Sequence, residues 1–80
     1  MSEGLIIDDN RQTADAIQQM LTLLELPARV AYGSSAAMAV LGSMIPRFVC
    51  LDINMPGVDG TEVLAYIRRA KDPNDFVVVV

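Results

Sequence analysis

The 80-residue sequence predicts a single α/β domain built on a parallel sheet. Two observations carry that reading. Leu5-Ile6-Ile7, Phe48-Val49-Cys50-Leu51 and Phe76 to Val80 are short continuous apolar runs, the pattern of strands covered on both faces. Segments with apolar residues at helical spacing alternate with them. The resulting order, β-α-β-α-β-α-β, implies parallel strands joined by right-handed crossovers.

The first strand, Leu5 to Ile7, ends in Asp8-Asp9-Asn10. Asn10 or Asp9 can cap the helix that follows, because a short side-chain oxygen accepts from the free N–H groups of a first turn. The spacing predicts that helix over about Arg11 to Leu26. Ala14, Ile17, Leu21 and Leu24 share one face, Met20 and Leu23 widen it, and Pro27 stops it. Ala28 to Tyr32 is a second strand. Gly33-Ser34-Ser35 supplies a turn and a cap for a helix over about Ser35 to Met44, which places Ala37, Val40, Leu41 and Met44 on one face and ends at Pro46. Phe48 to Leu51 is the third strand and ends in Asp52. A loop over Ile53 to Gly60, with Pro56 and two glycines, leads to a helix over about Thr61 to Ala70. Val63, Leu64, Tyr66 and Ile67 face inward or partly inward there, and Arg68-Arg69 suit the negative end of the helix dipole. Lys71-Asp72-Pro73-Asn74 breaks that helix before the fourth strand, Phe76 to Val80.

Composition narrows the function. Six Lys+Arg against ten Asp+Glu give a net charge of −4, with no basic stripe, so these residues predict no direct nucleic-acid binding. The absence of histidine removes the usual Cys/His zinc sites and every mechanism with a histidine base. The single cysteine, Cys50, allows no intrachain disulfide and reads as a packed, inert thiol. Met1-Ser2-Glu3-Gly4 lacks the basic region and apolar run of a secretion signal, which with the single thiol predicts a reducing cytoplasm. The longest uncharged stretch, Val30 to Pro46, contains Gly33, Ser34 and Ser35 and reads as strand–turn–helix rather than a membrane span. An apolar fraction of 52% excludes intrinsic disorder and exceeds what so short a chain can bury alone.

Chemistry concentrates at strand ends. In parallel α/β sheets ligands bind outside the carboxyl ends of the strands. If the first and third strands are neighbours, Asp8, Asp9 and Asp52 converge on one pocket. Taken singly, Asp8-Asp9-Asn10 also suits a helix cap and Asp52 an ordinary turn. Together, three carboxylates repel one another, so one takes up a proton or a cation sits among them. Mg²⁺ fits, since it prefers oxygen and takes one or two carboxylates plus a phosphate. With no histidine, reactive thiol or serine–base pair, the set points to phosphoryl chemistry on a carboxylate, which can itself be the nucleophile.

Asp8-Asp9-Asn10 after an apolar strand, followed by Asp52-Ile53-Asn54-Met55-Pro56-Gly57-Val58-Asp59-Gly60, resembles the receiver domain of two-component response regulators along the whole chain. The resemblance implies a doubly wound, flavodoxin-like parallel sheet, incomplete here, with strand order 2-1-3-4. It implies that Asp52 is the phospho-acceptor. It also implies Mg²⁺ bound by Asp9 directly, by Asp8 through water, by Asp52, and by the backbone carbonyl of Asn54. Pro56 and Gly57 then shape the loop beside the site, and Asp59-Gly60 forms the turn into the third helix. The implied donor is a phosphohistidine on a sensor histidine kinase, and the implied activity is at most self-phosphorylation and dephosphorylation.

The family also places a Ser or Thr after the fourth strand, a Lys at the end of a fifth, and two further helices, all beyond Val80. Residues 1–80 therefore read as the N-terminal two-thirds of a receiver. An alternative is an incomplete receiver, or an engineered fragment, that acts as a non-catalytic homo-oligomeric interaction module. It would form a homodimer or oligomer through the apolar edge of the fourth strand. Two other motifs fail on their residues. A calcium loop starting at Asp52 would have Pro56 at its fifth position and Val63 at its twelfth, where Glu is needed. The haloacid-dehalogenase signature ending in Asp59-Gly60-Thr61 would need an Asp two residues before Asp59, where Gly57 stands.

Overall fold

The computed structural model describes residues 3–52, 60–70 and 77–79. Seven elements follow in chain order: β1 (Gly4–Ile7), α1 (Arg11–Leu23), β2 (Ala28–Ala31), α2 (Ser34–Leu41), β3 (Phe48–Leu51), α3 (Gly60–Ala70) and β4 (Val77–Val79). The strands form one four-stranded sheet in the order β2-β1-β3-β4, and every neighbouring pair is parallel. The fold and strand order are those expected from the sequence. The loop over 53–59, the helix breaker at Lys71 to Asn74, and Phe76 and Val80 lie outside the described residues.

The period-2 alternation of strand side chains divides the core into two layers. Leu5, Ile7, Ala31, Val49 and Leu51 pack with Ala37 and Leu41 of α2 and with Val63 and Ile67 of α3. Ile6 and Ala28 pack with Ala14 of α1, and Ile17, Leu21, Val30, Phe48 and Cys50 complete that layer from partly buried positions. Helices on both faces of a parallel sheet make the fold doubly wound.

Helix α1 begins where its cap dictates. Asn10 has extended backbone, and its side-chain oxygen accepts from the Thr13 N–H at 3.0 Å. The helix ends at Leu23 rather than Leu26, ahead of Pro27. Leu24 is the C-cap, and Glu25 follows in the left-handed region at φ 62°. The Leu26 N–H reaches back to the Leu21 carbonyl at 2.8 Å and the Glu25 N–H to the Thr22 carbonyl at 3.0 Å. These are the paired bonds of a Schellman stop. Because the chain turns there, the expected apolar face is not buried to its end. Met20, Leu23 and Leu24 are exposed, at 59%, 84% and 63%.

Helix α2 also differs from expectation. It starts at Ser34 and its N-cap is Gly33, at φ 110°, with no side-chain cap bond, so neither Ser34 nor Ser35 caps it. It stops at Leu41, short of Met44. Ala37 and Leu41 are buried, and Val40 and Met44 are only partly so. In α3, Val63 and Ile67 are buried and Tyr66 packs partly against them, while Arg68 and Arg69 occupy the last turn. The side chain of Leu64 lies outside what is described.

Candidate functional site

The strand register assembles the site. Ile7 pairs with Leu51 of β3 and with Ala31 of β2. One step further, Asp8, Asp52 and Tyr32 are therefore neighbours across the carboxyl ends of three parallel strands. Two backbone bonds carry the ladder past the strand ends: Asp52 N–H to the Ile7 carbonyl at 3.0 Å, and Asp8 N–H to the Ala31 carbonyl at 3.2 Å. The acids at the ends of β1 and β3 meet because β1 and β3 are adjacent in the sheet.

Asp8, Asp9 and Asp52 each present a carboxylate oxygen within 4.8 Å of the others. Their environments differ. Asp8 is 7% exposed, Asp52 is half-buried, and Asp9 is exposed. Burial pushes the Asp8 carboxyl above its ordinary value of 3.8. The Asn10 N–H, donated to Asp8 Oδ1 at 2.9 Å, opposes that rise. The Asp52 charge, a side-chain hydrogen bond with Asp52 and the Asp9 charge reinforce it. Asn10 rather than Asp9 caps α1, which leaves the Asp9 carboxylate outside the cap. Asn54, Pro56, Gly57 and Asp59 lie outside the described residues.

An oxygen-only trio with one carboxyl driven toward its neutral form suits a hard divalent cation. Such a cation offsets both the burial and the neighbouring negative charges that raise Asp8, and Mg²⁺ takes few protein carboxylates. A thiol is no competing nucleophile here. Cys50 sits within the α1-side layer, and burial pushes its thiol upward.

Tyr32 escapes a search for chemistry-bearing residues. It stands one register step past β2. Its hydroxyl donates to Asp15 Oδ1 at 2.6 Å, and the Arg11 guanidinium lies 4.2 Å from its ring centroid. The only sequence signal was its place at the end of a strand flanking the acids.

The sequence model of the response regulator receiver domain matches residues 5–80. Among curated proteins, the chain is 34% identical over 65 residues to the transcriptional regulatory protein TctD of Salmonella typhimurium, covering 81% of this chain and 29% of that protein. It is 31% identical over 78 residues to the DNA-binding transcriptional activator EvgA of Escherichia coli, covering 95% of this chain and 38% of that one. It thus spans well under two thirds of these relatives. Among solved structures it resembles the response regulator TrrA of Thermotoga maritima bound to Mg²⁺-BeF, at a TM-score of 0.87 and 25% identity, covering 99% of this chain and 68% of that one. TrrA in complex with the histidine kinase ThkA matches at a TM-score of 0.84 and 28% identity, over 98% of this chain and 66% of that one.

Proposed function

The chain belongs to the response regulator receiver domain family, and from that premise we propose that Asp52 accepts a phosphoryl group from the phosphohistidine of a sensor histidine kinase. The Asp52 carboxylate oxygen attacks phosphorus as the bond to the imidazole nitrogen breaks, and that nitrogen keeps the bonding pair. The product is an acyl phosphate on Asp52. Mg²⁺, when bound, supplies positive charge against the transferring phosphoryl oxygens. Asp8, Asp9 and Asp52 would hold it, with the backbone carbonyl of Asn54.

The observation that supports this reading above others is the β1–β3 register, which brings carboxylate oxygens from two strand ends within 4.8 Å of one another. TrrA, a relative of the same fold, was solved with Mg²⁺-BeF and with a kinase. Residues 1–80 are proposed to be the N-terminal two-thirds of a receiver, in keeping with the share of solved TrrA that they match. The proposed setting is cytoplasmic, with no direct contact between these residues and nucleic acid or membrane. No helix among the described residues is long and apolar enough to cross a membrane.

Incubation with a small phosphodonor and Mg²⁺, followed by intact mass measurement, tests the assignment. One phosphoryl adduct is expected, lost in Asp52→Asn and in metal chelator. An adduct that survives Asp52→Asn refutes Asp52 as acceptor.

A second reading, a homo-oligomeric interaction module, draws on β4. That strand stands at one end of the sheet order, and an outer strand offers backbone groups to a further strand. A concentration-independent monomer mass in sedimentation at micromolar protein would dismiss it.

A further inference from the structure

We propose that Tyr32 is a positioning residue for the metal site, acting on Asp9 through the first turns of α1; this rests on the assignment of Asp8, Asp9 and Asp52 as Mg²⁺ ligands. Asp9 is the exposed member of the trio, so packing does not hold its carboxylate. The backbone on either side of it must.

That backbone is part of a closed circuit of contacts. The Asp8 N–H is bonded to the carbonyl of Ala31, the residue before Tyr32. Asp8 Oδ1 accepts the Asn10 N–H, which bridges over Asp9. Asn10 caps α1 through the Thr13 N–H, and its carbonyl accepts the Ala14 N–H at 3.0 Å. Arg11 and Asp15, one turn apart on α1, then return to the sheet edge through Tyr32. Asp9 sits within this circuit, and Tyr32 is the side chain that closes it.

Both halves of the closure have physical weight. The hydroxyl–carboxylate bond is charge-assisted and short, the stronger class of hydrogen bond. The Arg11 cation lies within the range of a favourable ring-face contact. Together they tie residues 11 and 15 to the end of β2, the strand next to Asp8. Without them, the Asn10 cap and the packing of Ala14 against Ile6 and Ala28 would be left to orient the start of α1, and Asp9, which neither of them touches, would sample positions that Mg²⁺ tolerates poorly. Mg²⁺ demands near-ideal octahedral geometry, whereas Ca²⁺ accepts loose and variable coordination. A slackened site should therefore lose Mg²⁺ more than Ca²⁺.

The test is calorimetric titration of the 80-residue chain with MgCl₂ and with CaCl₂, at a temperature where circular dichroism shows each variant folded. Tyr32→Leu, which removes both contacts, should weaken Mg²⁺ by about tenfold, the low end for residues that orient ligands. It should weaken Ca²⁺ clearly less. Tyr32→Phe, which keeps the ring beneath Arg11, should recover part of the loss. Asp9→Asn serves as control, and its retention of wild-type Mg²⁺ affinity would overturn the ligand assignment itself. If Asp9→Asn loses Mg²⁺ while Tyr32→Leu keeps wild-type affinity, or loses both ions equally, the positioning role is wrong and the ligand assignment stands. Should Tyr32→Leu fail to fold, Tyr32→Phe decides: an unchanged Mg²⁺-to-Ca²⁺ affinity ratio overturns the role.

Discussion

The ring of Phe48 lies against the Cα of Gly4, so near that a Cβ built on Gly4 would fall far inside van der Waals contact with ring atoms Cζ, Cε1 and Cε2. The glycine is there because the neighbouring strand needs its space. Gly4→Ala should expel the ring from the α1-side layer and cost about 1–3 kcal/mol, the usual range for overpacking. In a chain of this length each kcal/mol lowers the melting temperature by roughly 4–8 °C. Phe48→Ala removes the obstruction, so the double variant should be markedly less unstable than the sum of the two singles. Additive losses in denaturant titrations would show that the ring is not what excludes the Cβ.

The stop of α1 leads to a change of opposite sign. Glu25 occupies the left-handed position of a Schellman motif, where a Cβ is strained and glycine is not. Glu25→Gly should raise stability by up to about 1 kcal/mol, since relief of strain exceeds the added freedom of the unfolded chain. Glu25→Val should lower it, because a β-branched residue fits that conformation worst. Equal melting temperatures for the Gly and Val variants would contradict the backbone assignment.

These two positions mark where reading the sequence runs out. The strands were legible because a sheet buried on both faces needs unbroken apolar runs such as Leu5-Ile6-Ile7, and the helices because Ala14 and Ile17 repeat at helical spacing. Asp8, Asp9 and Asp52 were legible as strand-end acids, and as a group only if the first and third strands are neighbours, an order that the family resemblance implied. The end of α1 was not legible. Leu24 and Leu26 are good helix formers and Pro27 is an obvious stop, yet the chain turns at a glutamate that local propensity disfavours there. The contacts of Gly4 and Tyr32 were hidden for a related reason. Each depends on which strand lies alongside, and neither the Phe48 ring nor Asp15 is near in sequence.

The buried Asp8 carboxylate should make the metal-free chain sensitive to pH. The fold holds the Asp8 proton more tightly than the unfolded chain does, because burial raises its pKa above 3.8. Stability from this group is complete below the ordinary Asp value and is lost as pH rises through the raised folded value. Once ionised, the buried side chain is therefore a burden on the apo-protein. Asp8→Asn, whose amide oxygen can still accept the Asn10 N–H, should raise the melting temperature by a few degrees at pH 7. The gain should vanish below about pH 4, where both forms are neutral. Added Mg²⁺ should stabilise the wild type more than the variant. A gain that persists unchanged into acid would mean that packing, not ionisation, is responsible.

Cys50 gives a chemical probe of the α1-side layer. It alternates with Val49 and Leu51 and so faces the layer of Ile6 and Phe48, where it is half-buried and its thiol is pushed above its ordinary 9.0 by desolvation. The thiolate is the species that alkylates, so a higher pKa and restricted access both slow the reaction. Iodoacetamide at pH 8 should modify the folded chain several-fold more slowly than free cysteine, with the rate-against-pH curve displaced to higher pH. Phe48→Ala should open the neighbouring space and bring the rate toward the free-thiol value at a given pH. Wild-type Cys50 reacting as fast as free cysteine would place that thiol in water, and the α1-side layer would then be open at β3.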